Sequence, residues 1–495
     1  MKRIYSIAIL FSISILTFSC KKFLDLKPIS TPITNDFFKT ANEANSAVAG
    51  CYSLLRNALN NKTVTFYAYG DIPSDEYSAF GGVEDMTDVG NVNWSLPVPA
   101  TADYRTMINL RRWDNFYRVV DNANLCIQNI PTIDFSTDNS GNDPVVTKNN
   151  LLGEAYFMRA FTYFYMSRVW GDVPLVIKSV NAGDAVSTAR APQATVLAQC
   201  ISDLKTAIPL MQYGYVNSNN RAIRANRGSA FALLAHIYAW QQDYQKCAEA
   251  ADSVITKGNY QLVDRGSVGY LSIFKGQSTE GIFEISQNAA NEGSTSGIPF
   301  FTTKAPYNTL INGNSVFTIN SDHLDNLFAD TADLRLQHAF AFRGTTDPIC
   351  IKYSNFQYTQ QNTNQIAVAY NNLIVFRLSD IILLRAEALA ATGQATVAIG
   401  LLNQIRTAAG IEPYTLSDGE LFEAIIDERG RELFLEGHRF YDLVRLARQR
   451  SIVQFGDAKM SLSEFTRGKY YWPIDPILIT LDNSLKQTPY WSSKL

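Results

Sequence analysis

Only four histidines occur among 495 residues (His236, His323, His338 and His438), and none stands in the H-E-x-x-H spacing of a zinc hydrolase. Cysteine is equally thin. Beyond Cys20 there are Cys51, Cys126, Cys200, Cys247 and Cys350, widely spaced and without a C-x-x-C pair, which argues against a zinc site or a disulfide framework. Most of them fall in apolar helical patterns such as Leu125-Cys126-Ile127, where a small buried thiol is expected; one disulfide stays open as an alternative. The chain has no G-x-S-x-G, P-loop or dinucleotide fingerprint, so those catalytic classes have no basis in it. Positive charge is not in excess either. A net charge of −3 argues against nucleic acid, which selects a clustered basic face. Past residue 20, no apolar run approaches the length of a membrane helix.

The one long apolar run is at the N-terminus. Lys2 and Arg3 precede Ile4–Phe18, and the run stops at Ser19-Cys20. A basic start followed by a short apolar segment predicts a secretory signal peptide over residues 1–19, too short and too interrupted by serines to stay in a bilayer as a helix. A small residue directly before a cysteine predicts lipoprotein processing, with Cys20 lipidated and the chain anchored to a membrane; Thr17 stands where such signals usually carry leucine. Residues 20–40 mix charge, proline and threonine without a helical period and read as a tether.

From Ala41 onward, helical periodicity dominates. Leu151 to Trp170 is apolar on nearly every face, which predicts a helix packed on all sides. Thr195 to Met211 carries a single apolar stripe. Between Ala225 and Gly258, Ala230, Leu233, Leu234 and Ile237 form one stripe, a polar turn follows, and Tyr244, Cys247, Ala248, Ala251 and Ile255 form the next. Two antiparallel helices in roughly 34 residues match the tetratricopeptide pattern, and Leu378 to Ala409 repeats it. The expected fold is mostly α: tetratricopeptide-like hairpins as a scaffold, with long irregular insertions near 63–106 and 271–369 carrying short strands. Loops this long and this aromatic are expected to carry function.

Several segments taken together resemble the SusD/RagB-like family of outer-membrane nutrient-binding lipoproteins. They are Cys20 followed by Phe23-Leu24-Asp25 and Pro28, GEAYFMRAFTYFYMSRVWGDVPL from Gly153, ANRGSAFALLAHIY from Ala225, RLSDIILLRAEALAATG from Arg377, LLNQIRTAAG from Leu401, DERGRELFLEGHRFYDLVR from Asp427, and YWPIDPILITLDNSLKQTPYW from Tyr471. The resemblance implies a single α-helical domain over residues 41–495, with four helical pairs and an insertion-rich ligand face. It also implies an outer-membrane lipoprotein facing the cell exterior. There it would capture oligosaccharides without catalysis and act as the lid of a TonB-dependent, SusC-like transporter. Lys21 and Lys22 depart from the acidic residues that accompany surface export in such proteins. Some members of the family prefer peptides.

A sugar ring is matched by a flat aromatic face for its C–H groups and by planar polar side chains for its hydroxyls. On that chemistry the expected stacking platforms are Trp94, Tyr77 and Tyr307, with Asp75, Asn93 and Asn308 as hydrogen-bonding partners; the competing expectation is that each anchors its own loop. Trp113, Phe116 and Tyr117 are expected in the core. No cofactor is expected. Glu84, Asp85 and Asp88 offer oxygens to a structural calcium, but they lack the alternating spacing of an EF-hand, so a solvated loop is the preferred reading. A surface glycoside hydrolase is the rival reading, and it would draw its two carboxylates from Asp71, Asp75, Glu84 and Asp85. In the charged segment from Asp427, helical spacing pairs Asp427 with Arg431 and sets Glu432 and Glu436 on one face. Arginine neighbours make that a structural ion-pair network.

Overall fold

The computed structural model describes residues 38–60, 65–99, 102, 104–136, 141–181, 184, 186–215, 217–361, 364–455 and 459–495. The expected signal peptide, Cys20 and nearly all of the expected tether lie outside the described residues. Ten principal helices carry the fold: α1 Ala41–Leu59, α2 Asp114–Asn129, α3 Pro144–Trp170, α4 Gln193–Leu210, α5 Arg227–Gln241, α6 Tyr244–Lys257, α7 Leu378–Ala391, α8 Ala395–Ala408, α9 Leu421–Glu432 and α10 Arg439–Arg450. No described helix is long and apolar enough to cross a membrane.

Local chemistry explains where these helices begin and end. The Asp143 carboxylate accepts from the N–H groups of Val145 and Val146, and Pro144 takes the first helical position, so α3 starts there. From Gly153 to Trp170 almost every α3 side chain is buried, as its unbroken apolar surface predicts. At α5, Asn226 and Ser229 cap each other reciprocally, and the helix ends in Gln242, whose φ of 62° turns the chain into α6.

The helices pack as consecutive pairs: α1 against α2, α3 against α4, α5 against α6 and α7 against α8. Contacts from α4 to α5 and from α6 to α7 continue the stack. Both tetratricopeptide-like hairpins therefore form where the 3.6-residue period placed them, and α9 closes on α7 and α10. Cys51, Cys126, Cys200, Cys247 and Cys350 are all buried free thiols.

A buried ion network joins the scaffold to the second insertion. Arg377 sits where the strand Leu373–Arg377 runs into α7. It donates to Glu280 at 2.6 Å, Glu432 at 2.6 Å and Glu436 at 2.7 Å. Arg265 adds bonds to Glu280 and Glu432, Arg335 to Glu428 and Glu432, and Lys352 to Glu436. The i, i+4 pairing expected between Asp427 and Arg431 does not form. Arg431 instead meets Glu428 at 2.8 Å, a carboxylate that Arg335 also holds through its other oxygen. Nor do Glu432 and Glu436 share a helix face: α9 ends at Glu432, and Leu435 adopts φ 57°. The turn still brings both carboxylates to Arg377. Such a network adds little net stability over apolar packing, but breaking it leaves an uncompensated buried charge, so it specifies one arrangement of the chain.

Candidate functional site

The first insertion is built into the core. Its helix Thr65–Gly70 is buried throughout, and a Cβ at Gly70 would sit 2.3 Å from the Gly437 carbonyl oxygen, so only glycine permits this approach to the turn before α10. Trp94 is 0% exposed. Its ring stacks on Trp472 at 4.2 Å with 12° between planes, and its Nε1–H donates to the Val89 carbonyl. A ring sandwiched in this way has no face for a sugar, so the stacking role expected of Trp94 is corrected to a core anchor. Tyr77 is corrected for the same reason. It lies buried among Phe80, Phe317 and Phe434, on a strand paired with Thr318–Ile319. Asn93 is exposed, but its Nδ2–H donates to Asp88 at 2.7 Å and holds its own loop. Tyr104, 63% exposed, is the most exposed aromatic residue described in this insertion.

The acids of the first insertion are similarly committed. Asp75 is gripped by Arg439 through two bonds of 2.8 and 2.9 Å. Asp85 accepts from Arg105 and from the Met107 N–H, and Asp88 from Asn93. Burial pushes the Asp71 carboxyl up to about 8, although the Gly437 N–H donates to it. Burial likewise raises Glu76 well above its ordinary range, with Asp71 and Asp75 adding to the effect. Glu84 alone among the four hydrolase candidates stays open to solvent. Among the described residues, no three His, Cys, Asp or Glu side chains are grouped so as to hold a metal.

The second insertion is organised differently. The short strands Phe340–Ala341 and Ile349–Cys350 pair antiparallel, and their connecting loop begins at Phe342. Phe342 has φ 56° and is 37% exposed. A bulky side chain in the left-handed region is uncommon, and such strain tends to persist at functional positions. The Lys304 ammonium lies 4.4 Å from the ring centroid on one side, and the Tyr307 ring meets it edge to face at 6.4 Å and 87°. Lys304 is itself fixed by Asp347 at 2.5 Å. Burial favours the neutral acid at Asp347, but hydrogen bonds from Lys304 and Ser315 hold it below the usual carboxylate range.

Tyr307 and Phe342 line a cleft of about 780 Å³, shared with Ser321, Asp325, Thr331 and Arg343. The arrangement is a half-exposed aromatic pair ringed by hydroxyls, one carboxylate and one guanidinium, which suits a ligand with an apolar face and a polar edge. Tyr307 is therefore brought to the cleft. Asn308 is not. It is fully buried, with Oδ1 accepting from the Leu310 N–H inside its own turn. The expected hydrogen-bonding role of Asn308 is corrected to turn support. Asp75 lies in a second, polar cleft of about 530 Å³ with His323 and Arg439. The helix Ser321–Leu327 divides the two: Ser321, Leu324 and Asp325 line the aromatic cleft, while Asp322, His323 and Asn326 line the polar one. Burial holds the His323 imidazole below its ordinary value against the pull of Asp75.

Sequence reasoning passed over Phe342 and Arg343. The available signal was an aromatic-basic pair directly before a turn-rich Gly344-Thr345-Thr346-Asp347-Pro348 run. The four histidines serve no common centre. His236 meets Asp380 at 2.8 Å inside the helical core.

Known proteins agree with this architecture. A profile described as the SusD family matches residues 320–491, and one described as "Starch-binding associating with outer membrane" matches residues 22–239. A SusD-like protein of Formosa agariphila is 28% identical over 94% of both chains. A SusD superfamily structure from Bacteroides thetaiotaomicron is 25% identical with a TM-score of 0.77, covering 92% of this chain and 99% of that one. A SusD homologue structure from the same organism is 27% identical with a TM-score of 0.77, covering 91% and 98%. With profiles at both ends, relatives along nearly its whole length and the same helical scaffold, the chain belongs to the SusD/RagB family.

Proposed function

We propose that this protein is a non-catalytic glycan-binding lipoprotein of the outer membrane, holding an oligosaccharide in the cleft beside Tyr307 and Phe342. The observation that carries this reading is the strained, exposed Phe342 ring, backed by Lys304 and edged by Tyr307 in a cleft lined with hydroxyls. Stacking on such a pair is worth about 1 kcal/mol per ring, so binding is weak and depends on several contacts made together. The family match supports glycan binding at the outer membrane, and the profile that matches residues 22–239 is one described as starch-binding.

The remainder of the proposal concerns delivery. Residues 1–19 act as a signal peptide, Cys20 carries the lipid, residues 20–40 tether the domain, and the protein faces the cell exterior over a TonB-dependent transporter. Capture by the lid raises the local sugar concentration at the transporter's own site, an effect of effective concentration. Hydrolysis is less well supported, because Asp71 and Asp85 are buried away from a ligand and Asp75, though it lines the polar cleft, is held ionised by Arg439.

Affinity electrophoresis against a panel of polysaccharides, with a parallel assay for new reducing ends, tests the reading. Retardation without new ends, weakened in Phe342→Ala, is expected. New reducing ends overturn the non-catalytic assignment, and retardation indifferent to Phe342 and Tyr307 overturns the site. Retardation by no polysaccharide moves the ligand towards peptides. Deletion of the protein that leaves uptake of its nutrient unchanged at limiting concentration overturns the delivery role.

A further inference from the structure

A separate cleft of about 200 Å³ opens between the start of α1, the first turns of α3 and the loop joining α4 to α5. Its chemistry differs from that of the aromatic cleft. The lining is dominated by carboxamides, among them Asn42, Asn45, Asn150, Gln212 and Asn220.

At its base, Glu154 and Arg224 neutralise each other. The Arg224 guanidinium donates to both Glu154 oxygens at 2.5 and 3.1 Å, and the Tyr52 hydroxyl donates to the same carboxylate at 2.5 Å. Arg224 also reaches the Asn45 Oδ1 at 3.3 Å, fixing which end of that amide faces the base. By contrast, the side-chain amides of Asn42, Asn150, Gln212 and Asn220 make no hydrogen bond to another described residue.

Each free carboxamide offers two N–H donors and one carbonyl acceptor. A ligand satisfying several of them must itself carry closely spaced groups that both donate and accept, which is the chemistry of vicinal hydroxyls. A charged ligand finds no uncompensated counter-charge, because the Glu154–Arg224 pair is already closed. A volume of about 200 Å³ suits one sugar ring rather than a chain. Ala41, Leu151 and Ala225 supply a small apolar patch for one face of that ring.

We infer that this cleft is a second ligand site, taking a single neutral sugar residue by hydrogen bonds from Asn150, Asn220 and Gln212 rather than by aromatic stacking. The inference stands independently of the glycan reading of the Tyr307–Phe342 cleft. The residue bound is either a free monosaccharide or the terminal unit of a longer chain.

Saturation-transfer NMR on the purified protein tests it, with a panel of neutral hexoses, pentoses, deoxyhexoses and N-acetylhexosamines, and uronic acids as charged controls. Transfer to at least one neutral sugar is expected, with affinity falling about fivefold for each hydrogen bond of about 1 kcal/mol removed in Asn150→Leu/Asn220→Leu. Gln212→Ala, which removes an exposed side chain and leaves the backbone bond from the Arg227 N–H in place, gives a second readout. Phe342→Ala is expected to keep this signal while losing polysaccharide retardation, so the two sites fail separately. Competition by the free sugar identifies a monosaccharide ligand, and competition by chain ends alone identifies a terminal residue. The inference is overturned if no neutral sugar receives saturation, if uronic acids bind equally well, or if the signal survives both the double variant and Gln212→Ala.

Discussion

The two long insertions have nearly the same vocabulary of aromatics, asparagines and glycines, yet one is core and the other carries the exposed cleft. The first (63–106) meets the far end of the chain. Trp94 stacks on Trp472 and contacts Trp491, Asp75 is held by Arg439, and Gly70 lies against Gly437. The second (271–369) is pinned at its base by Arg335, Lys352 and Glu280, while its Phe342 loop projects from a two-residue strand pair. Aromatic content alone does not mark a binding loop. What decides is whether a distant partner has closed over the rings.

The sharpest way to break this contrast is Trp94→Ala. Removing a fully buried indole from a tryptophan stack is expected to cost about 3–5 kcal/mol of stability. Urea denaturation reads that loss, whereas polysaccharide retardation of the molecules that remain folded is expected to be unchanged. Reduced retardation per folded molecule would return Trp94 to the ligand face.

The pH dependence probes the same buried wall. Asp71 has its folded value raised to about 8 from an ordinary 3.8, chiefly by burial, so the native state holds a proton that the unfolded chain releases. Stability from this group is complete below about 3.8 and declines as pH rises towards about 8. Asp71→Asn keeps an acceptor for the Gly437 N–H and cannot titrate. Its stability profile between those limits is expected to be flatter than that of the parent. Equal slopes would mean that the Asp71 proton is not linked to folding.

On the second insertion affinity, not stability, is expected to suffer. Phe342→Gly removes the steric cost of a left-handed residue, about 1 kcal/mol, together with the Lys304 and Tyr307 ring contacts of about the same worth, so stability is expected to change by less than about 1 kcal/mol. The same variant is expected to weaken polysaccharide retention about fivefold, through loss of a stacking face worth about 1 kcal/mol. A variant that lost stability and kept its affinity would make Phe342 a structural residue like Trp94. The smallest effect is expected from Asn93→Ala. An exposed side chain that ties only its own loop is expected to change stability by less than about 0.5 kcal/mol and to leave retention unaltered.

Much of the scaffold was legible because helical packing repeats locally. The stripes at Ala230–Ile237 and at Ile381–Leu389 each record one buried face, and two such stripes with a polar turn between them specify a hairpin. The charged segment from Asp427 was legible as an ion network from its residue types, but not in its pairing. Arg335 and Arg377 come from other parts of the chain to hold Glu428, Glu432 and Glu436, while Arg431 turns to Glu428 three residues before it. Of the six proposed ligand contacts, Tyr307 reaches the aromatic cleft and Asp75 its polar neighbour. Trp94, Tyr77 and Asn308 are buried, because rings and amides serve loop anchoring with the same chemistry that serves sugars.

From the sequence alone came the helical class, the paired-helix scaffold and the two insertions, each a consequence of periodicity or composition within a few dozen residues. Burial is a different kind of property. Whether Trp94 faces solvent depends on Trp472, hundreds of residues later, and whether Phe342 is exposed depends on a backbone conformation that no local pattern records. The carboxamide cleft likewise exists only because α1, α3 and the α4–α5 loop converge. Local free-energy preferences act between near neighbours in the chain, so the sequence carries them openly. The ligand-facing surface is what remains after long-range packing is complete, and the tertiary structure alone decided it.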